Sequence, residues 1–258
     1  MAAEGARISE DAVLGGRLVL RQPRKGHRVG HDAILLAAAC SAAPRDHLVD
    51  LGGGVGAAGL AVARRVDDLT VTLVEIDAGL VALARENAAR NKLAARVRAI
   101  CLDVAARPAA FAAAGLAPGT ADHVLMNPPF NATAHPSPDR GRRLAHAAAH
   151  DTLVQWVGAA TGLLRPAGTL TLIWRADGLD AVLAALATGF GAIAILPVHP
   201  KTDAPAIRVL VRAVKARRAP LSLLPGLILA DAAGKPTASA EVVLREGALL
   251  PLAGNAGN

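Results

Sequence analysis

The chain contains few of several residue types that often decide the class of a protein. Its 258 residues include no tyrosine, and aromatic residues make up 2%, so the core that a 53% hydrophobic content predicts must be aliphatic. Only two cysteines occur, Cys40 and Cys101, and their spacing matches neither a disulfide framework nor a zinc site. We expect both to be small apolar residues in a reducing cytosol, and we expect no metal site.

Targeting and membrane signals are also lacking. The N-terminal stretch MAAEGARISED does not have the charged-then-apolar order of a signal peptide. The uncharged segment 181–198 is long enough to cross a bilayer, but Gly189 and Gly191 interrupt it. Its first half favours a helix and its second half a buried strand, so we expect a cytoplasmic protein without a membrane span.

Acidic residues are fewer than basic ones, which gives a formal net charge of +7. Such a balance predicts an anionic partner, with RNA the first candidate, held through basic loops with an affinity that falls as salt rises. The alternative is that about half of these cations only solvate the surface. The candidate cations form three groups along the chain: Arg24, Lys25, His27 and Arg28; Arg140, Arg142 and Arg143; and Lys201, Arg208, Arg212, Lys215, Arg217 and Arg218.

From Pro44 onward, strand-like apolar runs alternate with helix-like segments. The pattern predicts strands over 47–51, 69–76, 96–104, 121–127 and 169–174, with helices over 57–65, 78–91, 108–115 and 146–164. Repeated units of this kind predict an α/β fold with a parallel sheet covered on both faces. A ligand then binds where the strands end.

Shorter signals flank this region. Apolar runs around Gly15 and Gly16 predict an N-terminal hairpin, and segments 192–198 and 206–214 predict a final antiparallel hairpin. We expect three parts: a hairpin and basic loop over 1–32, the main domain over 33–218, and a tail over 219–258 packed on that domain.

A glycine-rich loop follows the first predicted strand of the main domain. Residues 54–59 fit the dinucleotide fingerprint G-x-G-x-x-G, and Glu75 follows about 20 residues later, as that fingerprint requires. Asp50, however, ends the strand before the loop, where it would repel a pyrophosphate by about a few kcal/mol. A ligand with a cationic amino group and no phosphate, such as S-adenosylmethionine, fits better. Asp103, at a later strand end, can accept a hydrogen bond from an adenine amino group.

The tetrapeptide N-P-P-F follows the fourth predicted strand of the main domain. Two prolines make a rigid turn without backbone donors. The Asn127 oxygen and the Pro128 carbonyl can hold the two hydrogens of a planar amino group and aim its lone pair at a methyl donor. Phe130 can stack a base, which must be flipped out of any duplex. The structural alternative is a strand stop followed by a core phenylalanine.

In order and spacing, D50-LGGGVG56, L73-VEID77, L102-D103 and N127-PPF130 resemble the motifs of class I S-adenosylmethionine-dependent amino-methyltransferases. The resemblance implies a Rossmann-like fold with a mostly parallel seven-stranded sheet. It implies that Asp50, Gly52, Gly54 and Gly56 form the cofactor loop. Glu75 would bind the ribose and Asp103 the adenine of the cofactor. The catalytic tetrapeptide would be Asn127, Pro128, Pro129 and Phe130.

A narrower resemblance comes from R28-VGHDAILLAAA39 and the segment 199–215, which are similar to the bacterial tRNA1(Val) (adenine-37-N6)-methyltransferase family. It implies a tRNA substrate and places Gly30, His31 and Asp32 near the amino-acid end of the cofactor, although Asp32 fits a helix N-cap equally well. Two positions depart from this family, since His31 stands where threonine is common and Phe130 where many adenine enzymes have tyrosine.

Several alternatives remain open on sequence alone. N-P-P-F also occurs in guanine-N2 rRNA methyltransferases, and protein-glutamine N5-methyltransferases are further relatives. An NAD-dependent oxidoreductase follows from the literal glycine fingerprint. A non-catalytic RNA-binding protein is the last alternative. The oligomeric state is not indicated.

Overall fold

The computed structural model describes residues 8–24, 28–129 and 140–254. Its strands are β1 Ile8–Val13, β2 Leu18–Pro23, β3 His47–Leu51, β4 Thr70–Glu75, β5 Val97–Cys101, β6 Ala121–Met126, β7 Leu164–Arg175, β8 Phe190–His199, β9 Arg208–Lys215, β10 Ser222–Leu223 and β11 Leu227–Ile228. Its helices are α1 His31–Ala38, α2 Ala57–Arg65, α3 Ala78–Arg90, α4 Pro108–Ala113, α5 Arg140–Leu163, α6 Leu179–Leu186, α7 Ala238–Glu246 and α8 Pro251–Gly254.

The main sheet has the order β10-β8-β9-β7-β6-β3-β4-β5, and β11 also pairs with β8. Strands β3 to β7 are parallel, whereas β9 runs antiparallel between β7 and β8. The predicted Rossmann-like sheet with an antiparallel final hairpin is therefore confirmed. Two short strands, β10 and β11, add to the seven that were predicted. Because β3 pairs with β4 on one side and with β6 on the other, the strand order reverses there, which is the usual ligand position in such sheets.

Both faces of the sheet are covered, as continuous apolar strands require. One core contains residues of α1, α2 and α3, and the other contains residues of α4, α5 and α6. Side chains alternate between the two cores along each strand. In β3, Leu48 packs in the first core, whereas Val49 and Leu51 pack in the second. Asp50 therefore faces the side of α1, α2 and α3.

The N-terminal hairpin pairs β1 with β2 in antiparallel register and docks on α3 through two asparagines. Asn91 accepts a hydrogen bond from the Val19 amide at 3.0 Å and donates to the Val19 carbonyl at 2.7 Å. Asn87, one turn earlier, makes the same pair of bonds with the Arg21 backbone. It also donates to the Val55 carbonyl at 3.0 Å, so one buried amide joins the hairpin to the glycine loop.

The apolar segment 181–198 folds as a helix, a turn and a strand, as expected. Gly189, with φ of +99°, makes the turn between α6 and β8. In the part of the chain that the structure describes, no helix combines the length and the hydropathy needed to cross a membrane.

The tail returns to the main domain. Strands β10 and β11 pair with β8, and α7 packs against α1 and the turn of the hairpin. The Leu250 amide donates to the Ala38 carbonyl at 2.9 Å, and the Arg17 guanidinium donates to the Glu246 carbonyl at 2.5 Å. The tail therefore contacts both the hairpin and α1.

We predict that Asn91→Ala lowers the free energy of unfolding by about 1–3 kcal/mol, because it leaves the Val19 amide and carbonyl without their partner. Arg90→Ala is the matched control. It removes an exposed ion pair with Glu10 from the same helix turn, and this should cost about 1 kcal/mol or less. Urea unfolding measures both variants, and equal losses would contradict the docking role of Asn91.

Candidate active site

The ends of the parallel strands bring most of the predicted site residues together. Leu51 pairs with Val74 of β4 and with Met126 of β6, and Glu75 pairs with Cys101 of β5. The residues at or just beyond these strand ends therefore share one edge of the sheet, called here the carboxyl edge. They are Asp50, Glu75, Asp103 and Asn127.

The glycine loop leads from β3 into α2, and Gly52, Gly54 and Gly56 all have positive φ. At Gly54, with φ of +56°, an added Cβ would meet nothing within 4 Å. Glycine is therefore needed here for the backbone angle, and the residue borders open space. At Gly52, with φ of +70°, an added Cβ would lie 2.8 Å from Cζ3 of Trp156 and closer still to Cη2. Gly52 is therefore required by an aromatic neighbour as well as by its angle.

Asp50 lies beneath this loop and is 3% exposed. Its Oδ2 accepts a hydrogen bond from the amide of Gly59 at 2.9 Å, in the first turn of α2. Burial raises the pKa of Asp50 to about 7, the Gly59 bond opposes this change, and the charge of Glu75 adds to it. The sequence predicted an open carboxylate facing a cationic ligand. The structure corrects this, because Asp50 is buried and its Oδ2 is bonded to the start of α2.

Glu75, the last residue of β4, holds the glycine loop by hydrogen bonds. Its Oε2 accepts from the Gly54 amide at 2.9 Å, and its Oε1 accepts from the Asp77 amide at 3.0 Å. The neighbouring Ile76 is 64% exposed, although it is apolar and adjoins a buried strand. Sequence reasoning missed Ile76, and the only available signal was an isoleucine between two acids at a strand end.

Most amides of the loop and of the first turn of α2 already have acceptors within the protein. Those of Gly52 and Gly53 donate to the Val74 carbonyl, and that of Gly56 donates to the Gly53 carbonyl. With the two carboxylate bonds, five amides over 52–59 are occupied: Gly52, Gly53, Gly54, Gly56 and Gly59. A pyrophosphate at a helix N-terminus needs such amides as donors. These five amides are therefore not available as donors to a pyrophosphate.

Asp103 stands just beyond β5 and is exposed. Its Oδ1 accepts from the Ala105 amide at 2.8 Å, which closes a local turn. Its Oδ2 contacts no donor among the described residues. The Cys101 thiol is also exposed, unlike the fully buried Cys40, and lies 3.4 Å from the Ile76 carbonyl oxygen. Ile76, Cys101 and Asp103 thus line one open part of the carboxyl edge.

Asn127 directly follows β6, and its side-chain oxygen is in an unusual environment. Its Oδ1 is buried and accepts no hydrogen bond from any described residue. A buried acceptor without a partner costs about 1–3 kcal/mol, so Asn127 Oδ1 is a candidate position for a donor group of a ligand. Pro128 is buried and Pro129 is exposed. Phe130 lies outside the described residues.

The segment predicted near the amino-acid end of the cofactor begins α1. Gly30 is the N-cap residue, so the N-cap interpretation of Asp32 is not realised. Asp32 instead accepts a hydrogen bond from the Arg208 Nε at 2.9 Å, which joins α1 to β9. His31 and Gly30 are exposed at the helix start. Cofactor binding by these three residues stays a prediction.

The third basic group does not form one surface, because one of its members is buried and another is bonded to backbone carbonyls. Arg212 is 3% exposed, and the Lys215 ammonium donates to the carbonyls of Thr161 and Leu164. Because β9 runs antiparallel, Lys201 lies towards the carboxyl edge, whereas Arg217 and Arg218 follow the other end of the strand.

The other two basic groups are only partly described. Arg28 donates to the Asp11 carboxylate at 3.0 Å, so part of its charge is compensated. Lys25 and His27 lie outside the described residues. Arg140, Arg142 and Arg143 belong to the first turn of α5.

The fold and the carboxyl edge define a class I, Rossmann-like methyltransferase. Residues 27–196 match the family model of the methyltransferase small domain, and the chain belongs to this family. A crystal structure of a predicted O-methyltransferase from Agrobacterium tumefaciens is 29% identical, with a TM-score of 0.70 over 85% of this chain and 98% of that one. TrmN from Thermus thermophilus, at 20% identity and a TM-score of 0.52 over 71% of this chain and 47% of its own, shares the fold.

Curated relatives carry RNA-related names. The tRNA1(Val) (adenine(37)-N6)-methyltransferase of Bacteroides thetaiotaomicron is 28% identical over 156 residues, which is 60% of this chain and 62% of the relative. That of Porphyromonas gingivalis is 31% identical over 59% of this chain and 60% of its own. The ribosomal RNA small subunit methyltransferase C of Ectopseudomonas mendocina is 32% identical over 42% of this chain and 29% of its own. The chain thus spans about three fifths of the tRNA relatives it matches.

We predict that the stability of the protein depends on the titration of Asp50. Its pKa is raised by folding, so its contribution is present at low pH and is lost as pH rises through about 7. Between pH 6 and 8, the wild type should therefore lose about 1 kcal/mol relative to Asp50→Asn. Urea unfolding of both proteins across this range measures the difference. Parallel stability curves would show that the carboxyl does not titrate there.

Proposed function

We propose that the protein is an S-adenosylmethionine-dependent methyltransferase that modifies an exocyclic amino group of a nucleobase in RNA, namely adenine N6 of a tRNA. The observation that carries the proposal is the buried, unpartnered Oδ1 of Asn127 beside the glycine loop. An amino group is the kind of donor that this acceptor lacks. The proposal also agrees with the family of the chain and with the names of its relatives.

Several residues of the carboxyl edge carry groups that are suited to S-adenosylmethionine. Glu75 keeps lone pairs on both oxygens for ribose hydroxyls, since each oxygen accepts one amide. The exposed Ile76 offers an apolar face to the adenine ring, and Asp103 Oδ2 can accept from its amino group. The open space at Gly54 admits the ligand close to the backbone. When bound, the cofactor supplies an electrophilic methyl group on a sulfonium.

The residues of the chain then act on the substrate amino group. Asn127 Oδ1 and the Pro128 carbonyl accept its two hydrogens and hold the nitrogen with its lone pair directed at the methyl donor. This orientation and the fixed dipoles favour attack without a prior ionised base. The Phe130 ring is assigned, from the sequence alone, to stacking the base.

An RNA substrate is supported by the charge of the chain and by its relatives. The net charge of +7 favours a polyanion, and curated relatives are named for tRNA and rRNA methylation. A second candidate is guanine N2 in rRNA, favoured by the 32% identity to the small subunit methyltransferase C. The internally occupied amides over 52–59 argue against an NAD-dependent oxidoreductase. An acceptor kept unsatisfied at Asn127 argues against a non-catalytic RNA-binding protein.

We predict that Asn127→Ala binds S-adenosylhomocysteine like the wild type but loses methyl transfer by about 100-fold, as when one preorganised group is removed from a transition state. Calorimetry and a labelled-methyl assay separate the two effects. Asn91→Ala, which removes the same residue type far from the carboxyl edge, should retain transfer below its melting temperature. Full activity of the Asn127 variant would disprove the mechanism.

We further predict that purified protein binds S-adenosylmethionine but not NAD, and that it transfers labelled methyl to unmodified tRNA. Nucleoside analysis should identify N6-methyladenosine, and transfer should weaken as salt rises because phosphate contacts release counterions. N2-methylguanosine in rRNA would instead select the second candidate. NAD binding without S-adenosylmethionine binding would refute the proposed function.

A further inference from the structure

Trp156 is less buried than the other tryptophan of the chain and contacts the glycine loop. The chain has two tryptophans, and Trp174 is buried at 3% exposure. Trp156 is only half-buried, whereas its helix neighbours Leu153, Val157 and Ala160 fill the core. Trp156 packs against the margin of the second core and also places the benzene part of its indole against the glycine loop.

The contact falls on the first residue of that loop. An added Cβ on Gly52 would lie 2.8 Å from Cζ3 and 3.4 Å from Cζ2 of Trp156. On its backbone side, Gly52 donates to the Val74 carbonyl at 2.8 Å. Gly52 is thus held between a strand and an aromatic ring, while Gly54, two residues later, borders open space.

We propose that Trp156 is a positioning residue for the cofactor, an inference that rests on the proposed function of this loop. Glycines lose more conformational freedom on ordering than other residues, so a loop with several of them costs more to order. A ring fixed against Gly52 supplies that order before the ligand arrives, and preordering of this kind raises affinity. Trp156 acts through Gly52 and is not placed at the reacting atoms.

The first test replaces the ring. Trp156→Ala should raise the dissociation constant and the KM for S-adenosylmethionine by about tenfold, because the loop must then be ordered by the ligand. The kcat at saturating cofactor should stay within about twofold, since Asn127 is untouched. Trp156→Phe, which keeps an aromatic ring, should recover most of the affinity. Melting temperatures identify any variant that fails to fold.

A double-mutant cycle tests the contact itself. Gly52→Ala should weaken binding through its positive φ and through the clash with Trp156. The clash disappears in the double variant Gly52→Ala/Trp156→Ala. Trp156→Ala should therefore weaken cofactor binding less when Gly52→Ala is already present than it does in the wild type. Additive losses would mean that the ring does not act through Gly52.

Fluorescence gives an independent readout, because the chain has no tyrosine and only two tryptophans. Trp174→Phe leaves Trp156 as the emitting indole. Its emission should change on titration with S-adenosylhomocysteine, and the midpoint of this change should equal the midpoint of the calorimetric titration. Trp156→Phe, which leaves Trp174, should show no such change. If the wild type and Trp156→Ala bind S-adenosylhomocysteine equally well and the emission is constant, this inference fails but the proposed function does not. If the wild type binds no ligand, the proposed function fails and the inference with it.

Discussion

Two buried carboxylates fix the glycine loop, and the rest of the site depends on them. Asp50 holds the first turn of α2 through the Gly59 amide, and Glu75 holds the Gly54 amide from the next strand. In a phosphate-binding loop, the ligand itself supplies the negative charge that the helix N-terminus attracts. Here two carboxyl groups of the protein accept from amides of the loop and of the helix start instead. These two donors are therefore occupied before any ligand binds.

The fold was largely predictable because its elements are defined by local patterns. The bounds of β3 and α2 agree with the predicted 47–51 and 57–65, where apolar periodicity and the glycines mark the ends. Strands β10 and β11 were missed because two residues carry no periodicity, and they exist only through pairing with the edge of β8. Helix α5 begins at Arg140, whereas the apolar pattern indicated a start at residue 146.

The candidate site was predictable in its position but less so in its contacts. Motif spacing placed the acids and Asn127 at strand ends, and the sheet brings those ends to one edge. Sequence cannot show which way a side chain turns, so Asp50 was expected to be open, and Asp32 was not expected to pair with Arg208. The same limit applies to charge. The sequence grouped Arg212 and Lys215 with cations that could contact RNA, but Arg212 is buried and Lys215 donates to backbone carbonyls.

Both ends of the proposed reaction rely on groups that are costly when no ligand is bound. Burial makes ionisation of Asp50 unfavourable, and Asn127 Oδ1 has no described partner. A fold selected only for stability would replace such groups, because buried unpaired polar atoms are rare in native proteins. Their chemistry also agrees with the proposal, since a cation near the loop would favour the ionised form of Asp50 and a donor would satisfy Asn127 Oδ1. A methyl donor with a positive sulfonium and a substrate with an amino group satisfy both requirements, whereas a diphosphate cofactor satisfies neither.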